Sequence, residues 1–376
     1  MRGLFALAPL AVLAACSDPD PDKPNGDPTA SVAEQLASAG MGDYLDTVAP
    51  TAESAWPGEP AWTRQDFAPS SGVVCRTGQP YFTAYRAGTS NNVLILLDEG
   101  GACWDDISCH FGSAESIARA PSFAGILSED AANALSTWHV VYAPYCDGSV
   151  FVGDNTAVYP NAGTNQHHGL RNLSAALTVA HTKVPSPDKV LVAGQSAGAY
   201  GTILAVGPAR LAFPEAELYA FADSGLGVTN EQNGSQLFAM RQNWRFTERI
   251  PSSCDDCDPQ FLPFFTWMLE HDERFVRAGV FSYYGDEVIR SFLGTVSGFS
   301  LTPMAASVYE ALIMTESDKV RAAHPTRFAR FFALGTGHIA SMDDTDYEGI
   351  SVAGQSVREW VNALVDPALP FEERVE

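Results

Sequence analysis

Apolar residues gather in runs at 81–85, 93–98, 139–145, 189–193, 217–222, 275–284 and 327–334. Several runs are continuous rather than alternating, the pattern of strands covered on both faces. Between them, apolar positions recur with helical spacing at 169–181, 197–208, 260–270, 286–293, 307–323 and 351–364. Strands alternating with helices predict an α/β fold with a mainly parallel central sheet flanked by helices. From Ser31 to Glu376 no Pro/Gly-rich linker and no internal repeat interrupts the pattern, so residues 31–376 read as a single domain. In such a sheet the chemistry gathers at the carboxyl ends of the strands.

The first residues follow another pattern. Arg2 precedes an apolar run from Leu4 to Leu13, broken by Pro9 and followed by Ala14, Ala15 and Cys16. A positive residue, a short apolar stretch and small residues describe a secretory signal peptide over residues 1–15. Leu13-Ala14-Ala15-Cys16 looks like a bacterial lipobox, in which the cysteine is acylated and becomes the new N-terminus. The plainer reading is a signal peptide with an incidental cysteine. Residues 16–30 are rich in Asp and Pro, have no apolar face and read as a solvated tether. The expectation is an exported domain held in the bacterial cell envelope by a lipid on Cys16, with a soluble secreted or periplasmic form as the alternative. No apolar run reaches the ~20 residues that span a bilayer as a helix.

Composition narrows the partners. Of 376 residues, 46% are apolar and 18% charged, which suits a large core and excludes a disordered chain. Asp and Glu number 45 against 22 Lys and Arg, a formal charge of -23. A surface this negative repels phosphate backbones and anionic bilayers. Nucleic acid is therefore not an expected partner, and a membrane is expected only through the anchor. The chain is expected to act as a monomer.

Apart from Cys16, the cysteines are Cys75, Cys103, Cys109, Cys146, Cys254 and Cys257. An even set in an exported protein predicts disulfides. Cys103 with Cys109 and Cys254 with Cys257 are natural close pairs, which leaves Cys75 for Cys146. Cys254-Asp255-Asp256-Cys257 also has redox spacing. Its aspartates would raise the thiol pKa values, against what a reactive thiolate needs, so a structural staple is expected. No metal is expected. A zinc site at these cysteines needs two further ligands, and nothing nearby has the spacing. The acidic stretches 18–22 and 343–346 lack the glycine and spacing of a calcium loop and read as solvated surface.

The strongest chemical signal is the apolar run ending in Gly194-Gln195-Ser196-Ala197-Gly198 and followed by a helical pattern. Strand, Gly-x-Ser-x-Gly, helix is the context of a nucleophile elbow. A serine needs a base, and the base an orienting acid, in the chain order Ser, acid, His. Of the histidines downstream, His271 and His324 sit near helix ends. His338 sits in Gly335-Thr336-Gly337-His338, directly after a strand, and is the expected base. Asp286, at the end of the 275–284 strand, is the expected acid, with a plain helix N-cap as its bland role. Asp223 is the rival acid, and otherwise shapes the pocket. For the oxyanion, the N–H of Ala197 is one donor. The glycine turn Glu99-Gly100-Gly101-Ala102-Cys103 is the expected second source. Tyr145, Asp147 and Asp154 follow a strand end and are expected to line the site, against a turn-forming role for Asp147-Gly148. His167 and His168 read as loop or cap residues.

Four segments together resemble the pectin acetylesterase family, which includes Notum-like carboxylesterases. They are Leu97-Asp98-Glu99-Gly100-Gly101-Ala102-Cys103-Trp104 with Cys109; Tyr142-Ala143-Pro144-Tyr145-Cys146-Asp147-Gly148-Ser149 with Gly153-Asp154; Gly194 to Gly198; and the His338 loop. The stretch from His168 to Leu173 also resembles the family's approach to the nucleophile strand. The resemblance implies an α/β-hydrolase-like fold and a Ser–Asp–His carboxylesterase without a cofactor. By position it implies Ser196, Asp286 and His338 as the triad, and N–H groups of Gly101, Ala102 and Ala197 as the oxyanion hole. It implies disulfides Cys75–Cys146 and Cys103–Cys109. The candidate residues for the substrate pocket are Gly100, Trp104, Tyr145, Asp147 and Asp223. Ala102 stands alone between Gly101 and Cys103, where the family usually has two residues.

The expected substrate is an ester, foremost an O-acetyl group on a polysaccharide. Pectin itself is a polyanion that the long-range field of this chain opposes, although screening over ~8 Å leaves room for a locally neutral cleft. Long acyl esters, a peptidase on the same fold, and a surface lipoprotein that binds glycans or a partner without turnover are the rival readings.

Overall fold

The computed structural model describes residues 29–112, 114–229, 234–258, 260–296 and 302–376. The expected signal peptide, Cys16 and nearly all of the tether lie outside the described residues.

The strands are β1 (Ala52–Trp56), β2 (Glu59–Asp66), β3 (Phe82–Arg86), β4 (Asn92–Leu97), β5 (His139–Ala143), β6 (Asn155–Tyr159), β7 (Gly163–His167), β8 (Lys189–Gln195), β9 (Glu217–Asp223), β10 (Phe275–Tyr283), β11 (Phe328–Ala333), β12 (Ser351–Val352), β13 (Gln355–Ser356) and β14 (Arg374–Val375). The helices are α1 (Val32–Ser38), α2 (Asp106–Phe111), α3 (Gly169–Lys183), α4 (Ala197–Ala212), α5 (Gly234–Trp244), α6 (Pro263–His271), α7 (Glu287–Val296), α8 (Ala306–Ala323), α9 (Asp344–Gly349) and α10 (Val357–Val365). Ten strands form one sheet in the order β1-β2-β3-β5-β4-β8-β9-β10-β11-β14. From β5 to β14 every neighbouring pair is parallel, while β1, β2 and β3 form an antiparallel flank. The expected α/β fold with a mainly parallel sheet is the observed one.

Two buried layers explain the continuous apolar runs. Val93, Ile95 and Leu97 of β4 pack into the core shared with α3 and α4, and Leu94 and Leu96 pack into the core shared with α10. Both faces are covered, so strand alternation has no polar side to show. Parallel register also brings the ends of β4, β8, β9 and β10 to one edge, pairing Leu97 with Gly194, Gln195 with Asp223 and Asp223 with Phe281.

The helix expected at 351–364 begins later. Residues 351–356 form the β12–β13 hairpin, turning through Ala353 and Gly354 at positive φ. The helix starts only after Ser356, which caps it in a reciprocal box with Glu359. The helix expected from 260 starts at Pro263, where the missing proline N–H costs no hydrogen bond. Strands β1, β2, β6 and β7 have polar or exposed faces and no apolar period, so the hydrophobic pattern does not announce them. Among the described residues no helix is long and apolar enough to cross a membrane.

All three expected disulfides are present: Cys75–Cys146, Cys103–Cys109 and Cys254–Cys257. The sulfurs of Cys103 and Cys109 lie beside the His167 ring, but they are bonded to each other and offer no thiolate to a metal. The acidic stretch 343–346 is the largely exposed start of a helix. Asp343 caps α9 through the Asp346 N–H at 2.9 Å, and Asp344 accepts the Gly125 N–H at 2.8 Å.

Candidate active site

Ser196 stands at the sharp turn from β8 into α4, with φ 51° and ψ -111°. A side chain at positive φ costs of order 1–3 kcal/mol and persists only where its surroundings enforce it. They do so here. A Cβ at Gly194 would overlap the Gly198 carbonyl, and one at Gly198 would overlap the Leu97 carbonyl, so both glycines are required by close approach. The Ser196 N–H donates to the Asp223 carbonyl at 2.8 Å, tying the elbow to the neighbouring strand. Ser196 is 6% exposed.

Asp286 is buried at the end of β10 and uses its two oxygens differently. Oδ1 accepts the N–H groups of Val288 and Ile289, both at 3.0 Å, which caps α7. Oδ2 lies 2.8 Å from His338 Nδ1. The helix cap and the partner of the histidine are therefore the same residue. An ionised carboxylate only accepts, so Nδ1 carries the proton and Nε2 is left as the basic nitrogen.

The loop bearing His338 is held at many points. Gly335 has φ 127°, and a Cβ at Gly337 would sit 2.7 Å from the Tyr283 ring. The Gly335 carbonyl accepts the Gly285 N–H at 2.9 Å. On the far side of His338, Ile339 N–H donates to Ser224 Oγ at 2.9 Å, and the Ala340 and Ser341 N–H groups donate to the Asp223 carboxylate at 3.0 and 2.8 Å. Ser341 Oγ donates to the same carboxylate at 2.5 Å and accepts from Gln195 Nε2 at 3.0 Å. Asp223 is thus the anchor of the histidine loop. It is fully buried, and burial pushes its carboxyl pKa up, against the donors that favour the ionised form. It does not bond His338, whose Nδ1 is paired with Asp286, so the structure favours Asp286 over this rival for the acid.

The turn after β4 lies against the start of α4. Gly101 has φ 75°, the Gly100 carbonyl accepts the Glu115 N–H at 2.8 Å, and the Cys103 N–H donates to the Gly148 carbonyl at 2.9 Å. The N–H groups of Gly101, Ala102 and Ala197 bond no acceptor among the described residues. Gly100 has no room for a side chain, because a Cβ there would overlap the Tyr145 ring.

Trp104 is buried beside this turn. Its Nε1–H donates to Gln236 Oε1 at 2.6 Å, and its ring meets Phe292 edge-on at 6.0 Å. Phe292 in turn meets Tyr200 at 5.6 Å. Tyr200 lies one turn along α4 from Ser196, and Phe292 lies on the helix that Asp286 caps. Sequence reasoning missed Phe292, Tyr200 and Gln236. The helical spacing of Tyr200 from Ser196 was the one available signal.

Three expected lining residues commit their polar groups to other partners, although the Tyr145 ring packs directly against Gly100. Tyr145 is fully buried and its hydroxyl accepts the Val150 N–H at 3.1 Å. Asp147 is fully buried, accepts the Ser149 N–H at 2.7 Å and Ser149 Oγ at 2.5 Å, and its pKa is raised to about 6 by burial. The turn-forming reading of Asp147-Gly148 is the correct one. Asp154 faces another side, receiving the Tyr44 hydroxyl at 2.7 Å and Arg171 Nε at 2.5 Å. His167 is buried against Tyr159, at 3.1 Å, and burial lowers its pKa to about 4.

The sequence model of the family described as Pectinacetylesterase matches residues 64–256. Pectin acetylesterase 7 of Arabidopsis thaliana is 29% identical over 171 residues, covering 42% of this chain and 44% of the plant protein. Pectin acetylesterase 11 of the same plant is 27% identical over 222 residues, covering 54% and 56%. The chain spans about half the length of these curated relatives. The family match takes in the glycine turn, the buried Tyr145 to Ser149 turn and the Ser196 elbow, and ends before Asp286 and His338. With strands β3, β4, β5, β8 and β9 and the strained elbow inside the matched stretch, which covers half of the chain, the chain belongs to the pectinacetylesterase family.

Proposed function

We propose that this protein is a serine carboxylesterase that removes O-acetyl groups from a glycan through an acyl-enzyme. The reading is supported most by the Asp286–His338 hydrogen bond, 2.8 Å long, formed by loops at the same sheet edge as the strained Ser196. The names of the plant relatives supply the acetyl group and the polysaccharide class.

In the proposed reaction His338 Nε2 accepts the Ser196 hydroxyl proton as Oγ attacks the ester carbonyl. The oxyanion is held by the N–H groups of Ala197, Gly101 and Ala102. The tetrahedral intermediate collapses, the C–O bond to the sugar breaks, and His338 returns its proton to the departing alkoxide. Water, deprotonated by the same nitrogen, then attacks the acetyl-enzyme and releases acetate and free Ser196. Asp286 keeps His338 in the tautomer that makes Nε2 the base, and stabilises the imidazolium. No residue in this sequence of steps calls for a metal or organic cofactor.

We also infer export and lipid anchoring at Cys16. The lipobox-like sequence supports it, and three disulfides fit an oxidising compartment. Incorporation of labelled fatty acid that Cys16→Ser abolishes is the expected result; equal incorporation in the variant rejects the anchor.

The test of the activity is turnover of p-nitrophenyl acetate, butyrate and octanoate, together with labelling by a fluorophosphonate. Acetate is the expected preferred ester. Ser196→Ala is expected to lose both turnover, by at least about 10³-fold, and labelling, while staying folded. Residual activity near wild type would sink the mechanism. A folded protein inert to every ester would support the binding reading instead.

A further inference from the structure

The charges around the site point to a finer substrate class than an acetylated glycan. Glu115 leans over the oxyanion turn, with its backbone N–H on the Gly100 carbonyl at 2.8 Å and its Cγ within 2.9 Å of where a Cβ on Gly100 would stand. Glu99 belongs to the turn itself. Both carboxylates pair with one guanidinium: Arg119 contacts Glu99 directly and approaches Glu115 at 3.6 Å. All three side chains reach solvent. One positive charge between two negative ones leaves the mouth of the turn net negative.

The segments that carry Asp286 and His338 repeat the sign. Glu287 is exposed beside Asp286 on the first turn of α7, and Asp343 and Asp344 are exposed a few residues beyond His338. Besides His110 and His338, segments 97–119 and 285–290 contain one Lys or Arg residue each, Arg119 and Arg290, and segment 335–346 contains none. Arg290 is spent on the carbonyls of Met304, at 2.6 Å, and Gly285, at 3.2 Å. Among the described residues of these segments, no lysine or arginine is free to receive a substrate carboxylate.

We propose that Glu99 and Glu115, by holding Arg119, set this esterase for acetyl esters of neutral sugars and against acetylated polyuronates. The inference rests on the esterase reading above. A polyuronate carries a carboxylate on each sugar, so several enter the negative field of the mouth together. Each such pair at contact separation opposes binding by a few-fold even in water-like surroundings. Arg119 would be the natural receptor for one of those carboxylates, and the two glutamates occupy it.

The test compares kcat/KM on an O-acetylated xylo-oligosaccharide and on an O-acetylated oligogalacturonate of equal length, with p-nitrophenyl acetate as reference. Wild type is expected to favour the neutral oligomer by at least about tenfold at low salt, with the gap narrowing as salt screens the field. Glu115→Gln is expected to move the ratio toward the uronate by about threefold, and Glu99→Gln with Glu115→Gln by about tenfold. Arg119→Gln is expected to move it the other way. Ratios cancel any general loss of folded enzyme. Equal rates on the two oligomers, or a ratio indifferent to salt and to all three variants, overturn this inference and leave the esterase standing. Failure on p-nitrophenyl acetate and both oligomers removes the esterase reading and this inference with it.

Discussion

The carboxylate of Asp223 receives both the backbone N–H and the hydroxyl of Ser341, at 2.8 and 2.5 Å, three residues beyond His338. Its own backbone carbonyl receives the N–H of Ser196 at 2.8 Å. One buried residue at the end of β9 thus ties the turn of the proposed nucleophile to the loop of the proposed base. Gln195 closes the frame, because its amide donates to the same Ser341 hydroxyl.

That frame predicts the behaviour of Asp223→Asn. Asparagine keeps one acceptor oxygen and turns an NH₂ toward the donors that converge there, leaving buried groups unsatisfied at ~1–3 kcal/mol. The His338 loop shifts relative to Ser196. The expected result is a fall in kcat of about 10²-fold, a much smaller change in KM and a modest drop in Tm. A lowered Tm with kcat intact would show that Asp223 stabilises the fold without positioning the base.

Asp286 allows its two roles to be separated. Asp286→Asn retains an oxygen to cap α7 but no longer demands a proton on His338 Nδ1, so the wrong tautomer becomes accessible. The expected loss in kcat is about 10⁴-fold with little change in Tm. Asp286→Ala also removes the cap and is expected to cost a further ~1 kcal/mol of stability. Parallel kinetics and thermal melts of the two variants check this. Equal activity in Asp286→Asn and wild type would return the question of the acid to other carboxylates.

Asp98 gives a pH dependence of stability. It is buried at the end of β4, accepts the Tyr142 hydroxyl at 2.6 Å, and has Glu99 and Arg119 as its charged neighbours. Burial chiefly raises its pKa from 3.8 to about 6. The folded state therefore holds this proton more tightly than the unfolded chain. The stability it contributes is full below about pH 4 and is lost as pH rises through about 6. Asp98→Asn cannot titrate, so its stability relative to wild type is expected to rise by about 2–3 kcal/mol between pH 4 and pH 7. Denaturant melts at both values check it. A difference between the two proteins that does not move with pH rejects it.

Much of this molecule was legible from its residues, and the exceptions share a cause. The strands around Val93 and Val190 announce themselves because both sheet faces are buried. The elbow announces itself because only glycine fits at 194 and 198. By contrast, β1 is exposed on nearly every residue, so no hydrophobic period marks it. Asp147 and Asp223 misled because an aspartate near a strand end usually faces solvent or substrate. Here each is buried in a turn whose N–H groups and hydroxyls bond its carboxylate, at both oxygens of Asp223 and at Oδ2 of Asp147. Phe292 went unseen because its contact with Trp104 joins residues 188 positions apart.

That contact carries the last prediction. Trp104 is fixed by Gln236, and Tyr200 by its hydroxyl on the Val228 carbonyl at 3.2 Å. Phe292 fills the space between the two rings and is itself only partly buried, so it is the member of this wall that solvent can reach. Phe292→Ala removes a ring between the proposed oxyanion turn and the first turn of α4, where the acyl group of the proposed Ser196 ester would sit. The expected result is a shift in acyl-chain preference. Acetate turnover falls modestly, while the butyrate-to-acetate and octanoate-to-acetate ratios of kcat/KM rise about tenfold, as a few added methylenes find apolar contact worth ~1 kcal/mol or less each. A chain-length profile measured on both proteins decides the matter. An unchanged profile would place the acyl pocket on another wall, and a uniform loss across all chain lengths would mean that Phe292 supports α7 and its cap, Asp286, rather than the substrate.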